Sequence, residues 1–401
     1  MRKVLKNVLL HSLLVTASIL VGLFLMEIGV RVFGLYTFPR ETFIEPHPEL
    51  GWSHIPNKEG YWEIGKHRIA VKINSKGLRD REYPYEKERG FFRILVLGDS
   101  FTEGFQVPLE ATFCKVLERR LRKKQRRIEV INGGFGGVGT DYQLLFLRRE
   151  GYKYDPDLVV SAFFVNDIYD NFKSKNILEN KSASVAYAEK GLVTHLKQFL
   201  ATNSCAYNYL GHVIPKHAPL LARLFMKLGV LSYQPIDEAE GINQLHDLVF
   251  VRKYGPELEK AWNVTQVLFY ELAKEAENRG SDLAVVSIPC REQVYENLWK
   301  SKLLRTGMQE REWDLNKPDQ LLSAFLSDAR IPALELLPHF RKAAGESQLY
   351  YTGTDGHWNV NGHRLAGEVI FNWLVKENMV PVEAEGSKLR VESRRLRGQG
   401  K

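Results

Sequence analysis

Cysteine is scarce in this chain of 401 residues: Cys114, Cys205 and Cys290 are the only three, far apart and without a Cys-x-x-Cys pair. That spacing excludes a disulfide framework and a thiolate metal site, and the three read as small buried apolar side chains. No Gly-Lys-Ser/Thr of a P-loop and no Gly-x-Ser-x-Gly elbow of the ordinary α/β-hydrolases occurs. No group of His, Asp and Glu has metal-ligand spacing, so neither a metal nor another cofactor is expected. The net charge of +8 suggests nucleic acid until it is located. Much of it lies at the ends, in Arg2, Lys3 and Lys6 and in Lys388, Arg390, Arg394, Arg395, Arg397 and Lys401. A further cluster, Arg119 to Arg127, fits the solvated face and tail of a helix. Without a zinc-finger, RNP-like or helix-turn-helix pattern beside these charges, nucleic acid is excluded as the partner.

Long apolar runs are absent after the first forty residues, but one is present there. Val8 to Met26 reads VLLHSLLVTASILVGLFLM, and Ile28 to Leu35 extends it past Glu27 and Arg31. This is about the ~20 residues that cross a bilayer. Basic residues precede it and no Ala-x-Ala-like cleavage site follows. Residues 1–36 therefore read as an uncleaved, single-pass anchor in the lipid bilayer, with a cytoplasmic N-terminus and an extracytoplasmic catalytic domain. Glu27 and Arg31, four apart, can pair on one helix face.

Residues 37–90 have a different texture. Short alternations such as Ile69, Val71 and Ile73, broken by Asn-Lys-Glu-Gly and Ser-Lys-Gly, predict two or three antiparallel strands in a β-rich lead-in. Strands are then expected at Arg93–Leu97, Ile128–Asn132, Asp157–Phe164, Leu283–Ile288 and Ala333–Leu337. Helical periodicity falls between and after them, near Pro108–Arg126, Asp141–Glu150, Leu258–Arg279, Asp319–Asp328 and Asn361–Lys376. This alternation predicts an α/β domain over residues 91–378 with a parallel sheet covered on both faces. An interval at about 168–256, rich in Tyr, Leu and His, breaks the pattern and reads as an insertion over one end of the sheet. Residues 379–401 form a basic tail without a catalytic part.

The residues that carry chemistry fall where these strands end. The run RILVLGDSFTEG, Arg93 to Gly104, places Ser100 just past the first strand, at the sheet edge where open α/β folds bind ligands. The second strand ends in INGGFGGVGTDYQ, and its glycines read as bringing a backbone N–H close to a substrate oxygen. The third ends in FFVNDIYDN, where the Asn166 amide is a neutral donor suited to a developing oxyanion. Near the C-terminus, YYTGTDGHWNVNGHRLAGEVI carries Asp355, His357 and His363. A serine, backbone and amide donors, a histidine and a carboxylate are together the parts of nucleophilic acyl transfer. His363, inside the helix pattern, reads as a packing or surface residue, and Asp99 and Asp167 as turn and hydrogen-bond organisers.

In these four blocks the chain resembles the SGNH (GDSL-type) hydrolases, over about Arg93 to Val375 outside the insertion. The resemblance implies a flavodoxin-like three-layer αβα sandwich around a parallel five-stranded sheet. It implies Ser100 as nucleophile, His357 as base and Asp355 as the carboxylate that orients it. It also implies an oxyanion hole from the Ser100 N–H, the Gly137 N–H and the Asn166 amide. The common family pattern is Asp-x-x-His, whereas Asp355 precedes His357 by two positions. That spacing is similar to membrane-anchored relatives that transfer acetyl groups to polysaccharides. The expected activity is a serine esterase acting on an ester or an acylated carbohydrate. The alternatives are an extracytoplasmic polysaccharide O-acyltransferase served by a membrane acyl-donor protein and a non-catalytic carbohydrate-binding membrane protein.

Overall fold

The computed structural model describes residues 2–35, 42–64, 67–173, 200, 203–217, 248–306, 309–352 and 355–381. The chain divides into two compact units, residues 1–42 with 187–241 and residues 43–186 with 242–401.

The larger unit holds the sheet. After β1 (Ile44–His47), β2 (Gly51–His54), β3 (Glu59–Ile64) and β4 (His67–Lys72) come β5 (Phe92–Gly98), β6 (Ile128–Gly134), β7 (Leu158–Phe163), β8 (Asp282–Ser287) and β9 (Ala333–Glu335). The last five form one sheet in the order β6-β5-β7-β8-β9. Every pairing in it is parallel. Alternate residues of each strand face opposite helical layers, so both faces are apolar. Leu95, Leu97, Ile131, Val159, Phe163 and Val285 pack on one side, against Leu144, Trp262, Phe269 and Leu272 of helices Thr140–Arg149 and Pro256–Asn278. Ile94, Val96, Val130, Val160 and Val286 pack on the other, against Leu117, Leu121, Ile370 and Leu374 of helices Phe113–Arg122 and Val360–Lys376. The result is the three-layer sandwich expected from the sequence.

The chain leaves β5 for β6 on one side and returns to β7 on the other. The carboxyl ends of these strands therefore flank the switch point at which such folds place ligands.

Three expectations are corrected. The lead-in contains four strands, not two or three, in the antiparallel hairpins β1–β2 and β3–β4. In the first, the His47 ring Nδ1 accepts the N–H groups of Glu49 and Leu50 and tightens a turn that apolar alternation does not signal. The helix expected from Pro108 begins instead at Phe113. A 3-10 turn, Leu109–Ala111, comes first, and extended Thr112 caps the α-helix by accepting the Lys115 N–H. Finally, residues 168–173 of the expected insertion lie in helix Asp167–Lys173 and belong to the main domain. Asn171 Nδ2 donates to Thr265 Oγ1 of the long helix at 3.0 Å. Most of residues 174–247, and the tail from 382, lie outside the described residues.

In the smaller unit, helix Arg2–Val32 meets helix Cys205–His217. Glu27 accepts the N–H groups of Cys205 and Ala206 at 2.9 Å and the Ser204 hydroxyl at 2.7 Å, and Arg31 donates to the Asn203 carbonyl at 2.8 Å. The expected Glu27–Arg31 pair is present at 2.6 Å. Several side chains of the apolar run, Val8, Leu9 and Ile19 among them, lie outside the described residues. Among the described residues no helix is long and apolar enough to cross a membrane. All three cysteines are buried free thiols.

Candidate active site

Ser100 opens a four-residue helix, Ser100–Glu103, directly after β5. Asp99 caps this turn by accepting the Phe101 N–H at 2.9 Å, and Gly104 closes it by donating to the Ser100 carbonyl at 2.9 Å. A helix-initial N–H has no acceptor within its own helix, so that of Ser100 is available to a ligand.

The partners come from a point 257 positions later in the chain. The Ser100 hydroxyl lies 2.7 Å from His357 Nε2. His357 Nδ1 lies 2.9 Å from Asp355 Oδ1, and the same carboxylate oxygen accepts the His357 backbone N–H at 2.8 Å. The carboxylate thus closes a tight turn onto the N–H two residues on, with His357 at the bend. Trp358 follows, bridged to Tyr350 and fully buried in the core. Asn359 then caps helix Val360–Lys376 by accepting the N–H groups of Asn361 and Gly362. Phe101, next to Ser100, packs against the His357 ring with centroids 4.9 Å apart. Burial alone would raise the Asp355 carboxyl. The hydrogen bonds from His357 and the nearby positive charge of Arg291 outweigh it and hold the group below the ordinary carboxylate value.

His363, the other histidine of this block, is a packing residue. It is fully buried, stacks on Phe113 and accepts the Phe113 N–H on Nδ1 at 3.3 Å. Burial, with the charges of Arg79 and His357, lowers it to about 3, so its ring stays neutral.

Asn166 stands between β7 and helix Asp167–Lys173, half-buried, and donates one amide hydrogen to Asp170 Oδ2 at 3.2 Å. Gly137 is exposed after β6, with φ +75° in the left-handed region that favours glycine. Asp99 and Asp167 are buried, and desolvation lifts both carboxyls above their ordinary value, with the negative charge of Asp99 raising Asp167 further. Asp99 caps the Ser100–Glu103 turn, while Asp167 accepts from Thr140 Oγ1 at 3.0 Å and from Gln143 Nε2 at 3.3 Å. Both therefore act as the organisers expected of them.

The expectation that no Gly-x-Gly-x-x-Gly spacing occurs in this segment is corrected: Gly134, the last residue of β6, Gly136 and Gly139, the residue before helix Thr140–Arg149, have it, in the context of a dinucleotide turn. Here the turn is occupied by the protein itself. The Gly136 N–H donates to Glu103 Oε1 at 3.0 Å, and a Cβ on Gly134 would lie 2.3 Å from the Glu103 backbone nitrogen.

Residues 96–365, two thirds of the chain, match the GDSL-like lipase/acylhydrolase family. The chain belongs to that family. As a GDSL-like chain, it is 33% identical over 94 residues to an arylesterase from Vibrio mimicus, a stretch covering 23% of this chain and 47% of that protein. It thus spans about half the length of the curated relative it matches. Among solved structures, an acetyl xylan esterase, AlAXEase, is similar with a TM-score of 0.39 and 13% identity, over 71% of this chain and 100% of that one. A catalytic mutant of Axe2, an acetylxylan esterase from Geobacillus stearothermophilus, is similar with a TM-score of 0.38 and 10% identity, over 72% and 95%.

Sequence reasoning passed over Glu103, His54 and Arg79. Each is a buried polar residue whose partners are far away in the chain, and no spacing rule marks them.

Proposed function

We propose that the protein is a serine esterase that cleaves ester-linked acyl groups of a carbohydrate or small ester through an acyl-enzyme on Ser100. The observation that carries this reading is the unbroken hydrogen-bonded path from Ser100 Oγ through His357 to Asp355, at 2.7 and 2.9 Å. Neutral His357 takes the Ser100 proton on Nε2 as Oγ attacks the ester carbonyl. Asp355 keeps the proton of the neutral ring on Nδ1 and stabilises the imidazolium that forms. The tetrahedral oxyanion accepts from the Ser100 and Gly137 N–H groups and from the second amide hydrogen of Asn166. Each such donor lowers the barrier by about 3 kcal/mol. His357 then protonates the leaving alcohol. In the second half it deprotonates a water molecule that attacks the acyl-enzyme, releasing the acid and restoring Ser100. The similarity to an arylesterase supports ester cleavage. The apolar run at Val8–Met26 supports anchoring in a bilayer with the catalytic domain outside the cytoplasm.

In the test, Ser100→Ala lowers turnover of an acetyl ester by several powers of ten while the folded state persists. An active variant would refute the serine mechanism. The two-residue spacing of Asp355 and His357 favours a second reading, in which a sugar hydroxyl replaces water and a membrane protein supplies the acyl group. Hydrolysis of a model acetyl ester compared with transfer to an added oligosaccharide separates the two.

A further inference from the structure

Within the larger unit, residues 43–90 of the lead-in reach the loops around Ser100 and Gly137 through three buried side chains. His54, the last residue of β2, is 2% exposed, and its Nε2 lies 2.7 Å from Glu103 Oε1. Its Nδ1 lies 3.0 Å from the Gly77 carbonyl. Each ring nitrogen thus faces an oxygen, so the buried ring is held from both ends. Arg79, 1% exposed, donates to the carbonyls of Glu103, Gly104 and Val107 and clamps the turn that follows Ser100. Asp80 accepts the Asn132 N–H at 2.7 Å and holds β6 where it enters the glycine loop.

Glu103 is the meeting point. It closes the helical turn that Ser100 opens, and the oxygen that meets His54 also accepts the N–H of Gly136, the residue before Gly137. The glycine loop is pinned to the nucleophile turn at two more places. Asn132 Nδ2 donates to the Thr102 carbonyl at 2.8 Å and the Phe135 N–H to the Gly98 carbonyl at 3.0 Å. Only the Glu103 contact uses a side chain held from outside the sandwich.

We infer that His54 and Glu103 are positioning residues: through the one oxygen shared by His54 Nε2 and the Gly136 N–H, the lead-in sets the distance between the Gly137 donor and Ser100. This rests on the reading of Gly137 and Ser100 under the proposed function. The role is geometric, because both side chains are buried and face other groups of the fold. A displacement of about 1 Å at an oxyanion donor costs on the order of 100-fold in rate.

The test uses the full-length chain in detergent and a chromogenic acetyl ester, with kcat, KM and Tm measured for each variant. Glu103→Leu removes the shared oxygen and is expected to lower kcat about 100-fold, with KM within about threefold. Glu103→Gln keeps an acceptor oxygen in place and is expected to stay within about fivefold of the parent kcat. His54→Leu, which leaves Glu103 without its hold, is expected to lower kcat about tenfold at a similar KM. A folded Glu103→Leu protein with kcat within about threefold of the parent would overturn the inference, as would equal losses in Glu103→Gln and Glu103→Leu. Should Glu103→Leu not fold, the other two variants decide: full activity in His54→Leu, or a 100-fold loss in Glu103→Gln, would overturn it equally. Ser100→Ala is measured alongside, since activity there refutes the serine mechanism, whereas an inactive Ser100→Ala beside a fully active Glu103→Leu refutes only the positioning role.

Discussion

One carboxylate oxygen of Asp355 does two jobs, holding the His357 ring by Nδ1 and the same residue's backbone by its N–H. The two can be separated, because an amide keeps the backbone bond but carries no charge for the imidazolium. Asp355→Asn is expected to leave Tm near the parent value and to lower kcat by about 1,000-fold or more, while His357→Ala is inactive. Turnover within about tenfold in Asp355→Asn would reduce the carboxylate to a turn former. His363 gives a second prediction, of stability alone. Its buried ring is lowered from 6.5 to about 3, so between those values the unfolded chain binds a proton that the folded chain refuses. The stability tied to this group is complete above about 6.5 and is lost as pH falls toward 3. His363→Gln is therefore expected to lose less Tm than the parent between pH 7 and pH 4, and a parallel loss in both proteins would contradict this.

The Ser100–Glu103 turn and the glycine loop after β6 behave as one packed element. A Cβ on Gly134 would lie 2.3 Å from the Glu103 nitrogen and 2.6 Å from the Thr102 carbonyl carbon, backbone that cannot step aside. Gly134→Ala is expected to cost about 1–3 kcal/mol and to lower kcat as the two loops part. Gly137 has no atom within 4 Å of its Cβ position, so Gly137→Ala meets only the left-handed backbone, at about 1–2 kcal/mol. Unfolding in denaturant measures both costs, and a neutral Gly134→Ala would contradict the close approach. The strands of the sheet were legible because buried parallel strands are continuous apolar runs, and Ser100, Asn166 and Asp355-x-His357 were legible because they stand at strand ends or beside a helix start. The hairpin turn at His47, the 3-10 turn before Thr112 and the His54–Glu103–Gly136 contact were not. They depend on hydrogen bonds of single side chains, which leave no period in the sequence. Glu103 carried one signal, an acidic residue midway between the apolar Phe101 and Phe105, just after a buried strand.

On the scale of the whole molecule, the polar contacts of Glu27 and Arg31 join the N-terminal helix to helix Cys205–His217 in a unit separate from the catalytic sandwich. If Val8–Met26 is an uncleaved anchor, the full-length protein keeps its first residues and stays in the membrane fraction through a carbonate wash. Recovery of a soluble protein with a new N-terminus near Tyr36 would contradict that. The central claim, that Ser100 is the nucleophile and His357 its base, is tested most directly by covalent labelling. The full-length protein is treated with a fluorophosphonate and digested with trypsin, and the peptide Ile94–Lys115, whose only serine is Ser100, is analysed by mass spectrometry. The predicted result is one adduct on Ser100 in the parent and almost none in His357→Ala. An unlabelled Ser100 in protein that hydrolyses an acetyl ester, or equal labelling with and without His357, would contradict it.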